Sequence, residues 1–350
     1  MAGWSQRGDD LIAKTFSVLV TGGAGYIGSH AVLALRDAGW AVAVIDNLST
    51  GFTFAIPDDV PFYEGDIADQ DLLARIFDEQ NIGAVMHFAG SVVVPESVAD
   101  PLKYYHNNTV KSRALLEAVV KAGVSHFIFS STAATYGVPD VSPVTEDVPK
   151  QPINPYGWSK LMTEQMLADT AAAHPLNYCA LRYFNVAGAD PQRRTGQSTA
   201  GATHLIKVAV EAALGKREAV GVFGTDFDTP DGTGVRDYIH VSDLADAHVL
   251  ALEALVEHPD RSLTMNCGYG RGFSVLEVLD AVDRVTNRKI ERHLEPRRAG
   301  DPAALVSDPS RIKATLPWQP RHANLETIVA HALAWEQKLS DIRAGEEPSA

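Results

Sequence analysis

A phenol and an ammonium stand four residues apart in Tyr156-Gly157-Trp158-Ser159-Lys160. On a helix, positions i and i+4 share a face, so Lys160 can sit beside the Tyr156 hydroxyl. Upstream, Phe129-Ser130-Ser131-Thr132-Ala133-Ala134-Thr135-Tyr136-Gly137 ends an apolar run with a cluster of hydroxyls. A tyrosine, a lysine and a hydroxyl suit proton transfer to or from an alcohol. A free tyrosine titrates near pH 10 and is a poor base at neutral pH, so the phenol needs cations around it. Alone, Y-x-x-x-K is also what an ordinary helix face offers.

A second signal lies near the start of the chain. Thr21-Gly22-Gly23-Ala24-Gly25-Tyr26-Ile27-Gly28 follows the first apolar run and opens a helical pattern. Gly23, Gly25 and Gly28 satisfy G-x-G-x-x-G, and Gly22, Gly25 and Gly28 give the wider spacing. Such glycines let the backbone turn tightly and approach a pyrophosphate at a helix N-terminus. The second run ends in Asp46, 18 residues past Gly28, close to the roughly 20 expected for an acid on the adenine ribose. Asn47-Leu48-Ser49-Thr50 follows without Arg or Lys, so the carboxylate would repel a 2′-phosphate, and NAD rather than NADP is expected. In Glu64-Gly65-Asp66-Ile67, Asp66 is placed to meet the adenine edge, or else to cap the next helix. An oxidised nicotinamide then provides the second cation for Tyr156. Lowering the phenol by about 3 units takes roughly 4 kcal/mol, which two cations in a dry pocket could supply.

The elements that must hold these residues are legible in outline. Apolar runs at 16–20, 41–45, 60–63, 84–88, 126–130, 178–182 and 263–266 lack polar alternation, as in strands buried on both faces. Between them lie helical patterns at 26–38, 69–79, 101–122 and 156–173. This alternation predicts an α/β fold, a doubly wound, Rossmann-like parallel sheet of about seven strands. Past residue 190 the rhythm loosens, with helices near 203–214, 242–256 and 274–286. We expect a dinucleotide-binding domain over 16–189, completed by segments near 235–270. A smaller C-terminal α/β domain, mainly 190–339, would cap the sheet's carboxyl edge. Residues 1–15 and 340–350 read as loose termini.

Composition narrows the partners. The chain has 350 residues, 45% hydrophobic, with 30 Lys and Arg against 44 Asp and Glu, a net charge of −14. That balance argues against nucleic acid and anionic membranes. No apolar stretch reaches the roughly 20 residues that span a bilayer, and the polar first 15 residues lack the core of a signal peptide. Two cysteines, Cys179 and Cys267, make no disulfide framework and suit a reducing cytoplasm. No metal site is expected.

With these motifs, and with His87-Phe88-Ala89-Gly90, Tyr105-His106-Asn107-Asn108, Tyr183-Phe184-Asn185, Arg297-Arg298 to Asp301 and the run Asp231-Gly232-Thr233-Gly234-Val235-Arg236-Asp237-Tyr238-Ile239-His240-Val241, the chain resembles the extended short-chain dehydrogenase/reductases, and among them the UDP-glucose 4-epimerase family. The resemblance covers about residues 17–339. It implies Tyr156 as the base, Lys160 as its partner and a ligand of the nicotinamide ribose, and Thr132 on the sugar O4. It places Gly22, Gly25, Tyr26, Ile27, Gly28, Asp46, Asn47, Asp66, Ile67, Phe88, Ala89, Gly90, Asn107, Tyr183 and Phe184 along the cofactor. Asn185, Leu205 and Phe223 would line a UDP-sugar, with Phe223 near the uracil. Arg236 and Arg298 would hold the diphosphate and Asp301 the uridine ribose. Delocalised, fork-shaped cations suit a diphosphate. Val92 stands where members often carry a lysine near the cofactor. Leu305 stands where some have a tyrosine, and others a smaller residue, beside the sugar.

The implied activity is inversion of C4 in UDP-glucose and UDP-galactose through a transient 4-keto sugar, with tightly bound NAD; N-acetylhexosamine or pentose forms are further candidates. The resemblance also implies a homodimer through the helices near 101–122 and 156–173. The rival is a nucleotide-sugar 4,6-dehydratase or a related UDP-sugar-modifying enzyme. Elimination needs an acid just after the active-site hydroxyl, where this chain has Ala133 and Ala134. A pure NAD-sensing protein would need none of Thr132, Tyr156 and Lys160.

Overall fold

The computed structural model describes residues 14–298 and 300–346. Residues 1–13 and 347–350, most of the expected loose termini, lie outside the described residues. Seven strands form one parallel sheet: β1 (Ser17–Thr21), β2 (Ala41–Asp46), β3 (Phe62–Glu64), β4 (Ile82–His87), β5 (His126–Thr132), β6 (Asn177–Tyr183) and the strand Leu263–Cys267. The spatial order is Leu263–Cys267, β6, β5, β4, β1, β2, β3. From β1 the chain runs outward to β3 and then returns to the other side of β1 as β4. That reversal opens a crevice at the carboxyl ends of β1 and β4, where open α/β sheets bind ligands.

Helices cover both faces, which is why the strand runs do not alternate. On one face Tyr26–Asp37 and Val241–Glu257 pack with Val18, Val20, Ile128 and Leu181. On the other, Gln70–Glu79 and Lys111–Ala122 pack with Leu19, Ile45, Val85, Phe127 and Phe129, and Leu167 of the helix Pro155–Ala173 joins them. All seven residues of β5 are buried.

A second core forms in the C-terminal part: Leu205–Ala213, Val275–Thr286 and Leu325–Glu346 bury Ile206, Val210, Leu279, Val282 and Ile328 together. Short strands outside the seven-stranded sheet pair with one another. Val235–His240 pairs with Asn185–Ala187, Gly272–Ser274 and Ala304–Leu305, and Val220–Phe223 pairs with Arg292–Glu295.

Two sequence expectations change. The pattern at 101–122 is not one α-helix: Pro101–Tyr104 and Lys111–Ala122 flank a π-helical turn, Tyr105–Val110. Such bulges are frequent at functional sites, and here Asn108 is buried in the turn with Ser91 and Ser159 as its partners. Second, residues 340–346 continue a helix rather than fray. Trp335 and Leu339 bury against Ala189, with Ile342 packed beside them, and the Arg343 guanidinium donates to the Ser198 carbonyl at 2.7 Å. Among the described residues no helix is long and apolar enough to cross a membrane.

Candidate functional site

The glycine loop is a backbone cradle. Gly22 has φ +73°, and a Cβ there would lie 2.6 Å from the Ala89 nitrogen. At Gly28 a Cβ would lie 2.1 Å from the Gly22 carbonyl oxygen, so the helix Tyr26–Asp37 rests directly on the loop. Its N-cap is Gly25, which contributes no side-chain hydrogen bond. The amides of the first turn, those of Tyr26 and Ile27 among them, remain available to an anion. The Tyr26 hydroxyl points elsewhere, donating to the Gly188 carbonyl at 2.7 Å.

Around the cradle stand the other expected cofactor residues. The Asp46 carboxylate is buried at the end of β2 and accepts from Ala24 N at 3.0 Å and Leu48 N at 2.8 Å. Burial raises its pKa, and those two amides oppose the rise. Asn47 lies exposed beside it. Asp66 is not the helix cap; Asp69 caps Gln70–Glu79 by accepting from Leu72 N. Asp66 instead takes Lys111 Nζ at 2.5 Å and Ala68 N at 2.9 Å. Burial alone would raise its pKa, but Lys111 and that amide outweigh it and lower it. Ile67 is buried in the core, so only its main chain can face a ligand. Phe88 and Ala89 donate their amides to the Thr21 carbonyl, which holds the turn into the exposed Gly90 against the loop. Asn107 reaches the Ser91 hydroxyl at 3.1 Å.

Across the crevice, β5 ends in Thr132 and the helix Pro155–Ala173 begins. Asn154 caps that helix by accepting from Gly157 N, and Pro155 fills its first position, where the missing N–H costs nothing. The helix therefore presents Tyr156 and Lys160, both buried, in its first two turns. A Cβ on Gly157 would lie 2.7 Å from the Ala134 carbonyl oxygen, so the helix start presses on the turn after Thr132. The Tyr156 phenol lies beside the Thr132 hydroxyl, which acts to lower its pKa, and Thr132 Oγ1 accepts from Ala134 N. Lys160 Nζ donates to the Ser130 carbonyl at 3.0 Å and lies over the Phe129 ring.

The chain's own groups set the starting electrostatics. Burial raises the Tyr156 phenol, with only the Thr132 hydrogen bond opposing. Burial also lowers the Lys160 ammonium from 10.5 to about 8. One dry pocket disfavours both charged forms. Lys160 by itself does not bring the phenol down.

On the capping side, Arg236 and Asp301 are partners, with Nη2 to Oδ1 at 2.9 Å. Arg298 is exposed and stacks over the Phe223 ring, 3.7 Å from its centroid. Leu305 lies in parallel register with Arg236 and packs on Ala133, Tyr136, Val144 and Phe184, beside the turn after Thr132. Asn185 opens the strand Asn185–Ala187, and Leu205 opens the helix Leu205–Ala213. Phe184 is buried in the Leu305 cluster, whereas the Tyr183 hydroxyl meets that of Ser130 next to the catalytic turn.

Comparison with known proteins gives the family. Residues 18–268 match the NAD dependent epimerase/dehydratase family. The chain belongs to that family. A UDP-glucose 4-epimerase of Azospirillum brasilense is 57% identical over 330 residues, covering 94% of each chain. The crystal structure of UDP-glucose 4-epimerase from Brucella ovis in complex with NAD superposes with a TM-score of 0.89 at 46% identity, over 91% of this chain and 98% of that one. A UDP-Glc/GlcNAc 4-epimerase from Campylobacter jejuni does so with a TM-score of 0.81 at 47% identity, over 92% and 99%.

Within this epimerase/dehydratase fold the structure adds residues that sequence reasoning passed over. Asn108, beside Asn107, is a buried amide: its Oδ1 accepts from Ser91 N, and its Nδ2 donates to the Ser91 carbonyl and Ser159 Oγ. His87 bridges Thr21 Oγ1 and Ser112 Oγ beneath the crevice, and burial lowers its pKa to about 3. It therefore stays neutral at physiological pH. Two adjacent asparagines gave no signal for which one faces inward, because the π turn rotates the register.

Proposed function

We propose that the chain interconverts UDP-glucose and UDP-galactose at C4. It is an NAD-dependent isomerase, and the observation that carries the reading is the buried Tyr156 phenol set beside the Thr132 hydroxyl and one turn before the buried Lys160, at the sheet edge opposite the glycine cradle. The cradle fits NAD: glycine contacts that no Cβ could replace, an uncapped helix N-terminus and the Asp46 carboxylate with no cation after it. Gly22, Gly25, Gly28 and Asp46 would hold the adenosine diphosphate end, and Lys160 and Asn107 the nicotinamide end.

Bound there, NAD supplies the hydride acceptor and donor for C4. The chain supplies the rest. Tyr156, as phenolate, takes the proton of the 4-hydroxyl, and Thr132 orients that oxygen. Removal of the C4 hydrogen leaves a 4-keto sugar. Arg236 and Arg298 anchor the diphosphate while the hexose turns about its link and offers its other face. Tyr156 then returns the proton, and C4 is inverted with no net oxidation. The dehydratase alternative would need an acid at Ala133 or Ala134, and neither can be one.

Incubating the pure protein with UDP-galactose, with no nucleotide added, should give UDP-glucose by NMR. Absence of conversion would overturn the reading. Denaturing the same preparation should release NAD⁺; NADP⁺ as the main nucleotide in the mass spectrum would refute the role given to Asp46.

We also propose a homodimer in a reducing cytoplasm. Leu102 is 77% exposed and Val98 64%, and Trp158 and Met162 present further apolar surface on one face of the catalytic helix. Four large apolar side chains on adjacent helices mark an interface. Cys179 and Cys267 are buried free thiols. Light scattering should give twice the chain mass, and Leu102→Glu with Trp158→Glu should give a monomer. A monomeric unmodified chain would exclude this.

A further inference from the structure

Behind the catalytic hydroxyls lies a buried ion pair that the reaction as described does not use. Glu164 stands four residues past Lys160 and eight past Tyr156 on the catalytic helix, hence on the same side of it. Its partner is Arg182 in β6. The two side chains are only 8% and 5% exposed. Arg182 grips Glu164 with two bonds, Nε to Oε1 at 2.9 Å and Nη2 to Oε2 at 2.5 Å. Glu164 Oε1 also accepts from Ser131 Oγ at 2.5 Å, and Ser131 immediately precedes Thr132. On its far side Arg182 Nη1 donates to the Tyr136 hydroxyl at 3.1 Å, which donates to Asn266 Oδ1 at 2.7 Å.

The catalytic helix is therefore fastened to β5, β6 and the edge strand Leu263–Cys267 at the level of the site. Stability alone is a weak reason for such a pair, because desolvating two charges offsets much of their attraction. Geometry is a stronger one. Thr132 and Tyr156 come from different elements, and Ser131–Glu164 ties those elements beside them, together with Lys160 Nζ on the Ser130 carbonyl.

We propose that Glu164 and Arg182 are positioning residues: they hold the end of β5 and the catalytic helix at the separation that keeps the Thr132 hydroxyl on Tyr156. The inference rests on the epimerase reading. It predicts that loosening the tie lowers the rate of the chemical step and leaves UDP binding alone, since no group of the network belongs to the set assigned to UDP.

The test uses the full chain as purified, with its bound nucleotide. Ser131→Ala cuts the tie and leaves the ion pair intact; Ser131→Thr restores the hydroxyl. Turnover of UDP-galactose by Ser131→Ala should fall by about 10-fold to 10²-fold, the cost of a misplacement of up to an ångström. KM and the calorimetric Kd for UDP should stay near those of the unmodified chain. The acid limb of its kcat profile should move to higher pH, because the Thr132 hydroxyl, which favours the ionised phenol, is no longer held beside Tyr156. Ser131→Thr should recover most of the rate. Unchanged kcat in Ser131→Ala, with or without a lower Tm, would overturn the inference, as would kcat and UDP affinity falling together. Failure of the unmodified chain to convert UDP-galactose would overturn the epimerase reading instead.

Discussion

Tyr156→Phe should lower turnover of UDP-galactose by about 10²–10⁴-fold or more, the usual cost of losing a positioned proton-transfer group. The substitution is clean. Tyr156 is buried, and its ring meets that of Tyr104 edge to face at 6.5 Å; phenylalanine keeps that contact. What disappears is the hydroxyl that lies beside Thr132. Thr132 Oγ1 keeps its bond from Ala134 N at 3.1 Å, so no partner is left without any hydrogen bond, and the fold should lose little. UDP affinity, governed by the capping side, should hardly change. The loss should therefore fall on kcat, with the calorimetric Kd for UDP as the control. Near-normal turnover would move the base elsewhere. Another phenol close enough to interact with Tyr156 is Tyr183, whose hydroxyl is engaged by Ser130 and whose pKa burial raises.

What the sequence made legible follows from how local each signal is. The seven strands were readable because strands buried on both faces are continuous apolar runs; β5, wholly buried, and β2, with five of six residues buried, are such runs. The cofactor cradle was readable because glycine is obligatory where a Cβ would strike backbone, as at Gly22 and Gly28. The short strands of the capping half were not. Asn185–Ala187 and Ala304–Leu305 hold three and two residues, too few to show a period of two. They exist because Val235–His240 pairs with both. The π turn at Tyr105–Val110 was hidden for a related reason: its register is set by the contacts of Asn108 with Ser91 and Ser159, 17 and 51 residues away. The phenol's surroundings were not legible for another reason. Helical spacing places Lys160 on the same side as Tyr156, but it does not reveal that Lys160 spends a donor on the Ser130 carbonyl or that burial raises the phenol and lowers the ammonium to about 8.

Substrate range offers the second large effect, and it turns on Leu305. The strand Ala304–Leu305 places this side chain beside Arg236 in register. Its far side rests on Ala133, Tyr136 and Phe184, around the turn that follows Thr132. If Arg236 holds the diphosphate and Thr132 the 4-hydroxyl, a sugar linking them passes Leu305. An N-acetyl group on C2 adds an amide and a methyl there. Leucine is shorter than tyrosine, so the larger sugar fits, but leucine gives the amide no hydrogen bond. UDP-glucose and UDP-galactose should therefore be good substrates and the N-acetyl forms slower ones. Leu305→Tyr would place a ring and a hydroxyl in the space the acetamide needs and should spare the plain hexose. Steric effects of this size are worth about 1–3 kcal/mol, so the ratio of kcat/KM for UDP-GalNAc to that for UDP-galactose should drop by roughly 10–200-fold. Because both substrates share UDP and the chemistry at C4, that ratio cancels any general damage from the substitution. A ratio equal in the two proteins would mean that Leu305 does not face C2, and that the sugar reaches Tyr156 by a path that misses the strand Ala304–Leu305.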